Sequence, residues 1–249
     1  MEAGTELLLE NYTLLQSQRD EVYRSANALF SLLSGNQVTA RYADIADDNG
    51  VKVARNEKAN KSQMLTWWDT QRDYHHDLLA YLFRTHFHDR RMRKLRTQIR
   101  TLTDFPLDDL VDWLAVAESD QVTSVPEVRL QLALQTAFPS DARIRDLAKR
   151  LYQKQQTQWA ILYEEIGVAY GIELDPNVEL GWQDMATIFN LVVEGAGLRR
   201  TVAPELGVLD NGAHVATKTI QMLLEKMVGR PWKELAALRA DLSSVAAPD

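Results

Sequence analysis

Ser140-Asp141-Ala142-Arg143-Ile144-Arg145-Asp146-Leu147-Ala148-Lys149-Arg150-Leu151-Tyr152-Gln153-Lys154-Gln155-Gln156-Thr157-Gln158-Trp159-Ala160-Ile161-Leu162-Tyr163-Glu164-Glu165-Ile166 is the longest uninterrupted periodic stretch of the chain. Ile144, Leu147 with Ala148, Leu151, Gln155, Trp159, Leu162 and Ile166 recur every three or four residues, which puts them on one face of a helix, apolar at every step except Gln155. The same spacing runs through Val22, Ala26, Leu29, Phe30 and Leu33, through Leu107, Leu110, Val111 and Leu114, and through Leu130, Ala133, Leu134, Ala137 and Phe138. No comparable alternating run of β-branched residues appears, so the pattern predicts an all-α fold.

Breakers at Gly35, Asn49-Gly50, Asp104-Phe105-Pro106, Val125-Pro126, Pro139-Ser140-Asp141, Gly171, Asp175-Pro176, Pro204, Asn211-Gly212 and Gly229-Arg230-Pro231 divide the chain into about nine or ten helices. Ser124 and Ser140 have the residue type of N-caps, and Pro126 suits a first helical turn. A long helix from about Met64 to Arg100 is expected to link the two ends of the protein, with its basic run Arg90-Arg91-Met92-Arg93-Lys94-Leu95-Arg96 placed to meet acidic helices. The chain shows no fixed-period repeat, which argues against a solenoid.

Composition narrows the chemistry. The chain has 249 residues, a net charge of −7 and no cysteine, which excludes disulfide frameworks, thiolate zinc sites, iron–sulfur clusters and cysteine nucleophiles. No stretch has the ~18–20 consecutive apolar residues of a membrane span. The start, Met1-Glu2-Ala3-Gly4-Thr5-Glu6, lacks the basic beginning of a secretory signal, so a cytoplasmic protein with no membrane partner is expected. Residues 1–103 sum to +2 and residues 104–249 to −9. A basic end on an acidic chain suits contact with a polyanion while the remainder stays off it.

Enzyme motifs are sparse. The chain has no Gly-x-Ser-x-Gly elbow, no glycine-rich phosphate loop and no His-Glu-x-x-His. His75, His76, His86 and His88 cluster in sequence, but His75 and His86 on one continuous helix stand about 16 Å apart, too far to share an ion. Asp73-x-x-His76 is half of a di-iron carboxylate motif without its second copy. Asp108-Asp109-Leu110-Val111-Asp112 resembles the magnesium-binding motif of helical isoprenoid synthases, yet acids at a helix start also complement its dipole. No catalytic residue, metal or cofactor is therefore expected, and a Mg-dependent isoprenoid-type enzyme using Asp108, Asp109 and Asp112 stays as the lesser alternative.

Near the N-terminus, Ala40-Arg41-Tyr42-Ala43-Asp44-Ile45-Ala46-Asp47-Asp48-Asn49-Gly50-Val51 sets a small residue four before a turn glycine, between apolar Ile45 and Val51. That is what a helix-turn-helix requires: Ala where two helices approach, Gly where the turn needs positive φ. The following stretch, residues 52–63, holds four cations and four amide or hydroxyl side chains against one acid. Such side chains suit phosphates and base edges. The candidate DNA contacts are Thr39, Arg41, Lys52, Arg55, Asn56, Lys58, Asn60, Lys61, Ser62 and Gln63, within the span 39–63. A shifted register, with Val53-Ala54 in place of Ile45-Ala46 and Leu65-x-x-Trp68 as the apolar pair, is the alternative.

Ala26-x-x-Leu29-Phe30, Gly35 and Ile45-Ala46-x-x-x-Gly50-Val51, followed by the helix from Ile144 to Ile166 and the segment Val192 to Arg199, resemble the TetR/AcrR family of transcriptional regulators. The resemblance implies an N-terminal three-helix DNA-binding domain, residues 1–75, and a helical ligand-binding and dimerisation domain, residues 76–249. On that reading the chain is a homodimeric repressor released from a palindromic double-stranded operator by a small-molecule effector. Gln155 is the natural orienting group of an effector pocket walled by Trp113, Phe138, Leu151, Trp159 and Tyr163. The apolar faces carrying Phe189, Val192, Val193 and Ala196, and Val215, Thr219, Met222 and Leu223, are the expected dimer seam, with packing onto the chain's own core as the alternative. A helical interaction protein without DNA binding is the main rival.

Overall fold

A computed structural model describes residues 4–8, 68–99, 101 and 105–241, without the side chains of Gln71, His86 and Phe87. The proposed helix-turn-helix and the candidate DNA contacts from Thr39 to Gln63 lie outside the described residues. The described chain is all-α. Beyond helical residues 4–8 it forms α1 (Gln71–Leu82), α2 (His86–Ile99), α3 (Leu107–Ser124), α4 (Pro126–Ala137), α5 (Ala142–Tyr170), α6 (Trp182–Val202), α7 (Val215–Val228) and α8 (Trp232–Ala236). Short 3₁₀ turns lie at Pro176–Val178 and Pro204–Gly207, and only isolated bridges take the place of strands among the described residues.

The chain divides into two units that are discontinuous in sequence: Met1–Arg84 with Pro126–Leu151, and Thr85–Val125 with Tyr152–Asp249. This corrects the expected single boundary at residue 75. The reason is hydrogen bonding as well as packing, since Gln131 donates to the Leu82 carbonyl at 2.5 Å and Arg143 to the His76 carbonyl at 2.6 Å. These bonds tie α4 and the start of α5 to α1.

In the first unit α1 begins with a capping box, Thr70 accepting from the Asp73 amide at 3.2 Å and Asp73 from the Thr70 amide at 3.0 Å. Its Tyr74, Leu78 and Leu82 are buried. The expected single lever from Met64 to Arg100 does not form. α1 stops at Phe83, and a new start follows in which the Asp89 amide bonds the Thr85 carbonyl at 2.8 Å and the Thr85 hydroxyl donates to the Asp89 carboxylate at 3.2 Å. At α5 the cap is Asp141, which accepts from the amides of Arg143 and Ile144 at 3.0 and 3.2 Å, and not the neighbouring Ser140. Ser124 likewise turns back to the Asp120 carbonyl at 2.6 Å, while Pro126 opens α4 as expected.

The second unit is built on α3, against which α6 and α7 both pack. Gly197 makes that possible, because a Cβ there would stand 2.6 Å from the Val122 Cβ and 2.7 Å from the Ser119 carbonyl. Arg200 of α6 pairs with Asp120 of α3 at 2.5 Å. Gly171, at φ 61°, ends α5, and Gly229, at φ 69°, ends α7.

The expected dimer residues divide. Phe189, Val193 and Ala196 are buried in the chain's own core, whereas Val192, Val215, Thr219 and Leu223 are half-buried. Met222, 73% exposed, stays open. The apolar face that α6 leaves uncovered is a different one, Leu191 at 66%, Leu198 at 45% and Val202 at 87% exposure. Gly195 lies on the same face, with nothing within 4 Å of the place where its Cβ would be.

Candidate functional site

The stripe of α3 runs Leu107, Leu110 and Val111, Leu114 and Ala115, then Glu118 and Val122. Helical spacing therefore carries a carboxylate onto an apolar face. Leu114, Glu118, Tyr163, Met185, Phe189 and Ile220 are among the residues that enclose a cavity within the second unit, with about 50 Å³ of space open to water-sized groups. All its other lining residues are apolar or glycine apart from the Trp182 indole, so Glu118 is its single charged wall.

Glu118 is held by α2. Met92, Leu95 and Ile99 bury one side of that helix, and the adjacent Arg91 reaches the Glu118 carboxylate through a charge-assisted hydrogen bond from Nη2 to Oε1. The Glu118 side chain is 10% exposed and that of Arg91 20%. Burial pushes the Glu118 carboxyl up to about 7 against the pull of Arg91. The basic run of α2 thus meets acids as expected, with Arg96 Nε also 3.5 Å from the Glu165 carboxylate. Glu118 Oε2 takes no hydrogen-bond donor among the described residues.

Beside Glu118 stands an aromatic row. Trp159 stacks on Tyr163 at 5.3 Å between centroids, and Tyr163 meets Phe189 edge-on at 5.5 Å. Burial first, and then the Glu118 charge, raise the Tyr163 phenol far above its ordinary range, so the hydroxyl keeps its proton. Gly167 seats the Trp182 indole, which a Cβ would meet at 2.5 Å. One turn before Arg91, burial and then the Arg91 charge push His88 down to about 4, which makes it a neutral core imidazole at neutral pH.

Of the expected pocket residues, only Tyr163 lines this cavity. Trp159 supports it from behind, and Trp113 is half-buried against the same core. Phe138 and Leu151 are buried in the first unit, and Gln155 is half-buried on α5. The missed residues are Glu118 and Arg91. Glu118 had a visible signal, an acid four residues after Leu114 on an apolar stripe. Arg91 had none, being one cation in a basic run.

Asp108 and Asp112 are occupied elsewhere. Asp108 accepts from the Gln221 amide at 2.6 Å and Asp112 from the Thr217 hydroxyl at 2.7 Å, while Lys218 reaches Gln221 at 2.7 Å. The Asp-Asp-x-x-Asp spacing therefore fastens α3 to α7, and only Asp109 and Asp112 of the three are exposed. Among the described residues no group of three His, Asp or Glu side chains could hold a metal ion, and no helix is long and apolar enough to cross a membrane. Comparison with protein-family models, curated proteins and solved structures finds no match for the chain.

Proposed function

We propose that the chain is a ligand-responsive, DNA-binding transcriptional regulator whose second unit senses a small molecule. The observation that carries this reading is the apolar cavity with one buried charge, Glu118, held by Arg91 on α2. An apolar enclosure with a single polar group is the usual form of a small-molecule site. Because Arg91 lies on α2, a ligand that disturbs Glu118 acts on the helix that follows α1 in the chain, toward the basic N-terminal segment. The coupling such a device needs is modest, about 1–3 kcal/mol of preference for the DNA-incompetent state. The resemblance of the N-terminal sequence to a helix-turn-helix supplies the DNA partner. The open apolar face of α6, with Leu191, Leu198 and Val202, supports a two-fold homodimer through that face in place of the buried Phe189, Val193 and Ala196.

The test is selection from random double-stranded DNA followed by titration of the winner at several salt concentrations. A palindromic winner, with affinity falling about tenfold or more between roughly 50 and 200 mM salt, supports the regulator. Replacing Arg55, Lys58 and Lys61 together by Ala should flatten that slope. No enrichment overturns the DNA reading and favours the helical interaction protein, which the same exposed face of α6 supports.

A further inference from the structure

The cavity carries more information than its existence, because its polar end is specific. Glu118 offers one lone carboxylate oxygen, Oε2, since Oε1 is engaged by Arg91. Tyr163 lines the same cavity and stays protonated, and its hydroxyl makes no hydrogen bond among the described residues. The site thus presents one strong acceptor and one group able to donate, set in walls of Leu114, Met185, Phe189 and Ile220. About 50 Å³ open to water-sized groups is room for about three or four of them, the scale of one small ring or a short chain.

Resting on the effector reading above, we propose that the cavity takes a small neutral alcohol or phenol, its hydroxyl donating to Glu118 and accepting from Tyr163. A hydrocarbon of the same size fills the apolar walls but leaves both polar groups without partners. An ammonium meets the Arg91 guanidinium, which already neutralises Glu118. A carboxylate meets the Glu118 charge, and Arg91 is turned toward its own partner. Only a hydroxyl both gives and takes a hydrogen bond without adding a charge to a site where the existing charges are balanced.

The experiment is calorimetric titration of the full-length protein at pH 8 with four one-ring probes, phenol, toluene, benzylamine and benzoate. Phenol should bind at least about tenfold more tightly than the other three, as expected of a hydrogen bond to a charged acceptor. Arg91→Met with Glu118→Met removes the pair together and avoids a stranded charge. In that double variant toluene should still bind, and the preference for phenol should fall to about twofold or less. Tyr163→Phe, which keeps the ring, should reduce the preference without abolishing toluene binding. Toluene equal to phenol, tighter benzylamine or benzoate, or a preference unchanged in the double variant each overturns the proposal. No saturable binding by any probe overturns it too. Release of the selected operator by phenol is scored separately: phenol binding that leaves the DNA complex intact refutes the regulator and leaves the ligand class standing.

Discussion

Helices α3 and α5 each carry one polar side chain on an otherwise apolar stripe, and their surroundings differ. On α3, Glu118 is buried, faces a cavity and receives Arg91 from α2. On α5, Gln155 is half-buried and its amide makes no hydrogen bond among the described residues. The bonds between helices are made there by its neighbours, Gln156 to the Thr187 hydroxyl at 3.0 Å and Gln158 to the Asp89 carboxylate at 2.6 Å. Interruption of a stripe therefore marks a position, and the helix lying opposite decides whether that position becomes a site.

The comparison breaks most visibly if the α3 pair is not a coupled unit. Arg91→Met alone strands a buried carboxylate and should cost about 3–5 kcal/mol in urea unfolding, whereas Arg91→Met with Glu118→Met should cost no more than about 1 kcal/mol. Equal losses would mean that Glu118 is no more special than Gln155.

A second carboxylate sharpens the contrast. Glu194 on α6 is half-buried with no partner among the described residues, and burial alone pushes it up to about 7. An acid whose folded value lies above its unfolded one binds its proton more tightly when folded, so its cost is absent at low pH and complete above about 7. Stability should fall as pH rises from about 5 to 8. Glu194→Gln should recover on the order of 1–3 kcal/mol at pH 8 and change little at pH 5, read as melting temperature at the two values. A variant with the same gain at both pH values would place Glu194 in water.

The smallest effect belongs to α5. Gln155→Leu, at a half-buried position without a bonded partner, should alter stability by no more than about 0.5 kcal/mol and leave phenol binding unchanged. A tenfold loss of phenol affinity would return Gln155 to the role its place on the stripe first suggested.

Much of the fold was legible because its causes are local. The stripe from Ile144 to Ile166 predicted α5, and Pro126, Gly171 and Gly229 marked true ends. Caps were less legible. Asp141 and Ser140 are both competent, and the backbone direction at the turn chooses Asp141. Of the site, Tyr163 was legible as an aromatic on the long helix. Phe138 and Leu151 were misassigned because α4 and the start of α5 bond to α1, which no spacing within either helix reveals. The broad apolar face of α6 was visible too, but Phe189, Val193 and Ala196 turn to α3 and leave Leu191, Leu198 and Val202 outside.

By itself the sequence determined that this protein is helical, where most helices stop and which faces are apolar, since backbone hydrogen bonds and side-chain periodicity act over one or two turns. The tertiary structure alone decided that Glu118 meets Arg91, that Asp108 and Asp112 fasten α7, and which apolar face of α6 stays open. Those outcomes depend on removal of water by residues far away in the chain, and desolvation is a property of the neighbourhood, which no single helix carries.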